Sequence, residues 1–162
     1  MIAVIATIVA STLSYATPLI FTSIGGTFSE RGGIVNVGLE GIMVMGAFSG
    51  VVFNLSFADQ FGKATPWLGC LVAGLVGLVY SCLHALATIN FRADHVVSGT
   101  VLNLIAPSLA VFLCRFLYNG NGQTPTIKVN FSTSSVPLLK DIPILGRIFF
   151  TNIPILAYVA IL

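Results

Sequence analysis

The first 29 residues contain no Asp, Glu, Lys or Arg. About 20 mostly apolar residues in an α-helix cross ~30 Å of hydrocarbon, so Ile2 to about Phe28 reads as a membrane span. Thr17-Pro18 falls inside it, and a kink is expected there because proline removes a helical hydrogen bond. Composition extends the reading to the whole chain. Seven basic and five acidic residues stand among 162, with 56% hydrophobic and a mean hydropathy of +1.01. A water-facing surface needs about a quarter charged residues, so most of this surface faces lipid. A net charge of +2 without a basic cluster offers nucleic acid nothing to bind.

Three further spans follow by the same criterion. One runs from about Ile34 to Phe57 with Glu40 embedded in it. The polar segment Asp59–Pro66 then forms a short loop. Trp67, placed as an interfacial anchor, opens a span reaching about Ile89. A tight connection from Asn90 to His95 leads into Val96 to about Tyr118, which carries Asn103, Pro107 and Arg115. Arg115 lies near the end of that span, where snorkelling to the interface accommodates it. Asn119–Arg147 is long and polar and reads as an extramembrane loop, with a short interfacial helix expected around Val136–Leu145. Ile148–Leu162 is apolar again, but fifteen helical residues reach only ~22 Å. The expectation is an all-α, polytopic transmembrane bundle of about four complete spans plus a truncated fifth. The first basic residue is Arg31, so no signal-peptide n-region is expected.

Small residues recur at every fourth position of the third span: Gly69, Ala73, Gly77, Ser81 and Ala85. In lipid, close backbone approach through small residues is a main source of helix association, so this stripe reads as a packing face within one subunit. Gly46 and Gly50 form a weaker G-x-x-x-G on the second span.

No catalytic constellation is present. There is no phosphate-binding P-loop, H-E-x-x-H or G-x-S-x-G. Cys70, Cys82 and Cys114 lie in apolar stretches without metal-ligand spacing and read as small buried hydrophobes. His84 reads as a packed, hydrogen-bonded residue and His95 as an interfacial one. No metal and no cofactor bound by this chain is expected, and two N-x-S sequons are too short a pattern to carry weight.

The most informative stretch runs from Gly25 to Gly41. It combines Glu30 and Arg31 with Gly32, Gly33, Gly38 and Gly41, and it is flanked by apolar runs. Charge at membrane depth costs ~2.5–3.5 kcal/mol on insertion scales, and each helical glycine costs up to ~1 kcal/mol relative to alanine. Such a segment reads as a broken helix facing protein or a water-filled path, where irregular backbone is tolerated. Glu30 and Arg31 fit equally a cytoplasmic turn. Asn36 and Glu40, further into the apolar run, read as inward-facing polar groups.

The stretch Ser29-Glu-Arg-Gly-Gly-Ile-Val-Asn-Val-Gly-Leu-Glu-Gly-Ile-Met, followed by Gly46-Ala47, resembles the N-terminal signature of permease subunits of ATP-binding-cassette (ABC) importers for branched-chain amino acids, simple sugars and nucleosides. It most resembles the nucleoside and simple-sugar branch. Arg92-Ala-Asp-His-Val-Val-Ser-Gly-Thr-Val-Leu-Asn103-Leu is similar to the family's entry into its next helix. The resemblance implies a multi-pass protein of the bacterial plasma (inner) membrane. It also implies a second, different permease subunit, two cytoplasmic ATPase subunits that use the ATP, and an extracellular or periplasmic solute-binding protein. Residues 1–162 would then be the N-terminal part of one permease transmembrane domain, without the C-terminal half and its coupling segment. Glu30 and Arg31 would belong to a cytoplasmic-side motif, with Arg92 on the same side and Asn119–Arg147 outside. Asn36, Gly38, Glu40, Gly41 and Asn103 are the candidate path or hinge positions of a permease for a small polar solute, a nucleoside or simple sugar. Two other functions stay open on the residues alone: an ion-coupled secondary transporter with Glu40 as its ion site, and a non-transporting membrane scaffold.

Overall fold

In the computed structural model of the chain, residues 2–131, 133–134 and 153–161 are described. They fall into two compact units, residues 25–130 on one hand and residues 1–24 with 131–162 on the other. Helix α1 spans Ile2–Arg31 and continues through Pro18. Four of its hydroxyl side chains are satisfied internally: Thr12, Ser14, Thr17 and Thr22 each donate to the carbonyl four residues back, at 2.7–2.8 Å. That pattern lets a polar side chain sit in an apolar helix without an external partner. Near the end of the chain, β1 (Thr133–Ser134) and β2 (Ile153–Pro154) form a two-residue antiparallel pair. A seven-residue helix α5 follows at Ile155–Ile161. The interfacial helix expected at Val136–Leu145 lies outside the described residues.

The unit from residue 25 to 130 contains α2 (Leu39–Phe61), α3 (Thr65–Ala85) and α4 (His95–Leu117). Helix α2 begins at Leu39, not at Ile34, because residues 34–38 form irregular backbone and a turn. The polar loop expected from Asp59 to Pro66 contracts to one 3-10 turn, Gly62–Ala64. Gly62 turns the chain there with φ +51°, a conformation that glycine adopts without Cβ strain. Pro66 lies in the first turn of α3, where a missing N–H costs nothing. A π-helical turn, Leu86–Asn90, ends the α3 segment. Asp94 then caps α4, its Oδ1 accepting from the amides of Val96 (2.9 Å) and Val97 (3.0 Å).

Among the described residues, three stretches are long and apolar enough to cross a membrane: Val4–Arg31, Leu39–Asn90 and His95–Leu117. The middle one has 52 residues and as a straight helix would measure ~78 Å, over twice the hydrocarbon thickness. It folds back on itself instead. A Cβ built on Gly50 would meet the Gly69 carbonyl at 3.2 Å, one on Gly46 the Ala73 carbonyl at 3.2 Å, and one on Gly77 the Ile42 side chain at 3.4 Å. Partners that recede along α2 as they advance along α3 define an antiparallel hairpin.

Helix α4 packs on the same α2. Met45, Tyr80, Leu102 and Ala106 form the buried cluster, flanked by Ile42, Val44, Val76 and Leu109. The outer face of α3 exposes Leu71, Leu75, Leu78 and Val79, and that of α4 exposes Leu104, Phe112 and Phe116. Apolar faces of this extent suit hydrocarbon rather than water.

Candidate functional site

The connection between α1 and α2 is built by local hydrogen bonding. Gly33 takes φ +80°, which ends α1 with a left-handed residue. The amides of Gly32, Gly33 and Ile34 donate to Phe28 (3.2 Å), Glu30 (2.9 Å) and Ser29 (3.2 Å). The Ser29 hydroxyl donates to the Ile34 carbonyl at 2.8 Å. Asn36 accepts from the Gly38 amide through Oδ1 at 3.0 Å, a side-chain turn that presents the start of α2.

This non-helical backbone is held by α4. Asn103 uses both ends of its carboxamide: Oδ1 accepts from the Gly41 amide at 2.7 Å, and Nδ2 donates to the Val37 carbonyl at 2.8 Å. Gly41 lies in the first turn of α2, where amides lack intrahelical partners, so a residue 62 positions away acts as a tertiary cap. The backbones nearly touch. A Cβ on Gly99 would lie 2.7 Å from the Gly38 nitrogen, and one on Gly41 2.7 Å from the Leu102 carbonyl oxygen. Tyr80 of α3 donates its hydroxyl to that same Leu102 oxygen at 3.0 Å. Three helices therefore meet around the connection. Gly99 and Asn103 lie four and eight residues into α4, ~6 and ~12 Å along its axis, so the contact is well past the end of that helix.

The remaining candidate residues are placed differently. Glu40 is the second residue of α2 and is exposed; it is not embedded in mid-span, because α2 starts five residues later than its apolar run. In a first turn its charge complements the helix N-terminus. Glu30 and Arg31 end α1 and are exposed. Gly69, Ala73 and Gly77 face α2, against Gly50, Gly46 and Ile42, while Ser81 and Ala85 are half-buried further along α3. His84 is buried, with Nδ1 3.0 Å from the Ser98 hydroxyl of α4. Among the described residues no group of three or more His, Cys, Asp or Glu is placed to hold a metal ion.

Gly99, Tyr80 and the His84–Ser98 contact escaped sequence reasoning. Gly99 had a readable signal, since it precedes Asn103 by one helical turn and so shares its face. Tyr80 had none, because a tyrosine in an apolar run does not reveal which carbonyl it reaches.

Residues 8–162 match the family described as the branched-chain amino acid transport system / permease component. The chain belongs to that family. The chain is 60% identical over 154 residues to the nucleoside ABC transporter permease protein NupC of Lactococcus lactis subsp. cremoris, covering 95% of this chain and 48% of the relative. It is 47% identical over 150 residues to the guanosine ABC transporter permease protein NupQ of Bacillus subtilis, covering 93% of this chain and 47% of the relative. It thus spans about half the length of the curated relatives it matches. No solved structure matches it.

Proposed function

We propose that this chain is part of a permease subunit of an ATP-driven importer that carries a nucleoside across the bacterial plasma membrane. The observation that carries the reading is the 60% identity to a nucleoside ABC transporter permease over nearly the whole chain. Residues 1–162 belong, on this reading, to one transmembrane domain that pairs with a second permease subunit. Two cytoplasmic ATPase subunits drive the cycle and hydrolyse the ATP, and an external binding protein delivers the solute.

Helices α1 to α4 cross the bilayer four times, α2 and α3 being separate crossings joined at Gly62. The antiparallel contacts of Gly46 and Gly50 support this count. The α1–α2 connection then lies below the membrane surface, with its Val37–Gly38 end held against α4. Irregular backbone at such depth requires protein partners for its polar groups, and the Asn103 carboxamide supplies two of them. Asn36, Gly38, Gly41 and Asn103 form a hinge beside the solute path, with Glu40 on its exposed side.

The test is uptake of radiolabelled guanosine by the complete transporter. Uptake that requires ATP and survives an uncoupler supports the importer; uptake that persists without ATP and collapses with an uncoupler assigns an ion-coupled carrier instead. Glu40→Ala is expected to lower uptake more than membrane abundance. Equal loss of both would assign Glu40 to folding.

A further inference from the structure

An open groove of about 490 Å³ lies between α2, α4 and the segment following α4. Its walls are the small and aliphatic residues Ala47, Val51 and Val111, with the Phe48 ring and the buried Cys114; Gln123 and Thr124 close one side. Small-molecule sites have this composition, an apolar lining with a few polar groups that set orientation, in volumes of roughly 300–1,000 Å³.

The polar side is a built strap. At its start the amides of Tyr118, Gly120 and Asn121 donate to Cys114 (2.9 Å), Arg115 (2.8 Å) and Tyr118 (3.1 Å). At its far end Asn54 of α2 donates to the Val129 carbonyl at 2.7 Å, and Lys128 pairs with Asp59 at 2.7 Å. The segment carrying Gln123 is therefore anchored on both flanks, to α4 and to α2. The Gln123 carboxamide itself bonds no described residue and is exposed. Asp59 and Lys128 also place the strap at the Gly62 end of the α2–α3 hairpin, opposite the Asn103 contact.

We infer that this groove is a subsite for the base of the transported nucleoside, with Phe48 supplying a stacking face and Gln123 pairing with the base edge. A carboxamide has an acceptor and donors side by side, which matches the adjacent donor and acceptor on a base edge. An aromatic ring stacks on any base face. Free ribose has hydroxyls that can bond the carboxamide but no aromatic face to stack on Phe48. The inference rests on the nucleoside reading above.

The experiment uses the complete transporter with its cysteines replaced by alanine and Ala47→Cys, an exposed position in the groove wall, as the reporter. Guanosine is expected to slow alkylation at position 47 by N-ethylmaleimide, whereas ribose leaves the rate unchanged. Gln123→Ala and Phe48→Leu, at normal membrane abundance, are expected to lower guanosine uptake about tenfold, as loss of a paired or stacked base contact would. Wild-type uptake by both variants, with position 47 unprotected while guanosine is being transported, overturns the subsite and leaves the nucleoside importer standing. Absence of guanosine uptake by the unaltered transporter removes both.

Discussion

At the scale of single residues, the α1–α2 connection concentrates the sensitive positions. Asn103→Ala leaves the Gly41 amide and the Val37 carbonyl without their partner. Interhelical hydrogen bonds in membranes average under 1 kcal/mol each, but both groups are backbone, and together their loss is expected to cost about 1–2 kcal/mol. Thermal unfolding in detergent measures it. Asn36→Ala removes one local bond and is expected to cost about half as much. Glycines divide by what surrounds them. Gly99→Ala forces a Cβ to 2.7 Å from the Gly38 nitrogen and 2.9 Å from the Val37 Cβ, both on tied-down backbone, so folded protein in the membrane should fall sharply. Gly74, also in a helix, has open space around it, and a methyl group there would meet nothing within 4 Å. Gly74→Ala should therefore leave abundance unchanged or raise stability by up to ~1 kcal/mol. Similar loss from both substitutions would mean that Gly99 is no special contact.

At the scale of elements, what the sequence could reveal depended on the range of the force that decides each feature. Burial in lipid acts on every residue of a run, so the third and fourth spans are bounded in the sequence to within a few residues of α3 and α4. The entrance of α2 was not legible at that precision. Ile34, Val35 and Val37 are as apolar as a helix start requires, but Asn36 and Gly38 divert the backbone into turns. The four-residue stripe on α3 pointed to a packing face, yet its partner, the Gly46–Gly50 face of α2, emerges only in three dimensions. The clamp on the connection was half legible. Asn36 and Asn103 stood out as polar residues in apolar surroundings, but Gly99 lay unmarked one turn before Asn103. A direct test of the hairpin is a cysteine pair at positions 50 and 69 in a background lacking Cys70, Cys82 and Cys114. The contact between Gly50 and Gly69, 3.2–3.3 Å from a Cβ on either one to the opposite carbonyl, predicts oxidative cross-linking within one chain. In an unbroken helix the two positions would stand ~28 Å apart, and no cross-link would form.

At the scale of the whole molecule, the contacts within residues 25–130 sort the connections onto two ends. The Gly38–Gly99 approach puts the α1–α2 and α3–α4 connections at one end, with Arg31 and Arg92. The Asp59–Lys128 pair puts the α2–α3 turn and the strap at the other, with Lys63 and Lys128, and Arg115 beside Gly122 of the strap. Two basic residues against three give the positive-inside rule little to separate the ends. On the proposed import function the groove sets the orientation, because an importer must receive its solute from outside and the strap forms the polar side of that groove. The strap end is therefore expected to face out. With Cys70, Cys82, Cys114 and any other cysteine of the complete transporter replaced, Lys63→Cys should react with a membrane-impermeant maleimide in intact cells, and Arg92→Cys only after permeabilisation. The reverse pattern would turn the groove towards the cytosol, where it could serve solute release but not entry, and would place the Asn103 contact on the outer side of the membrane.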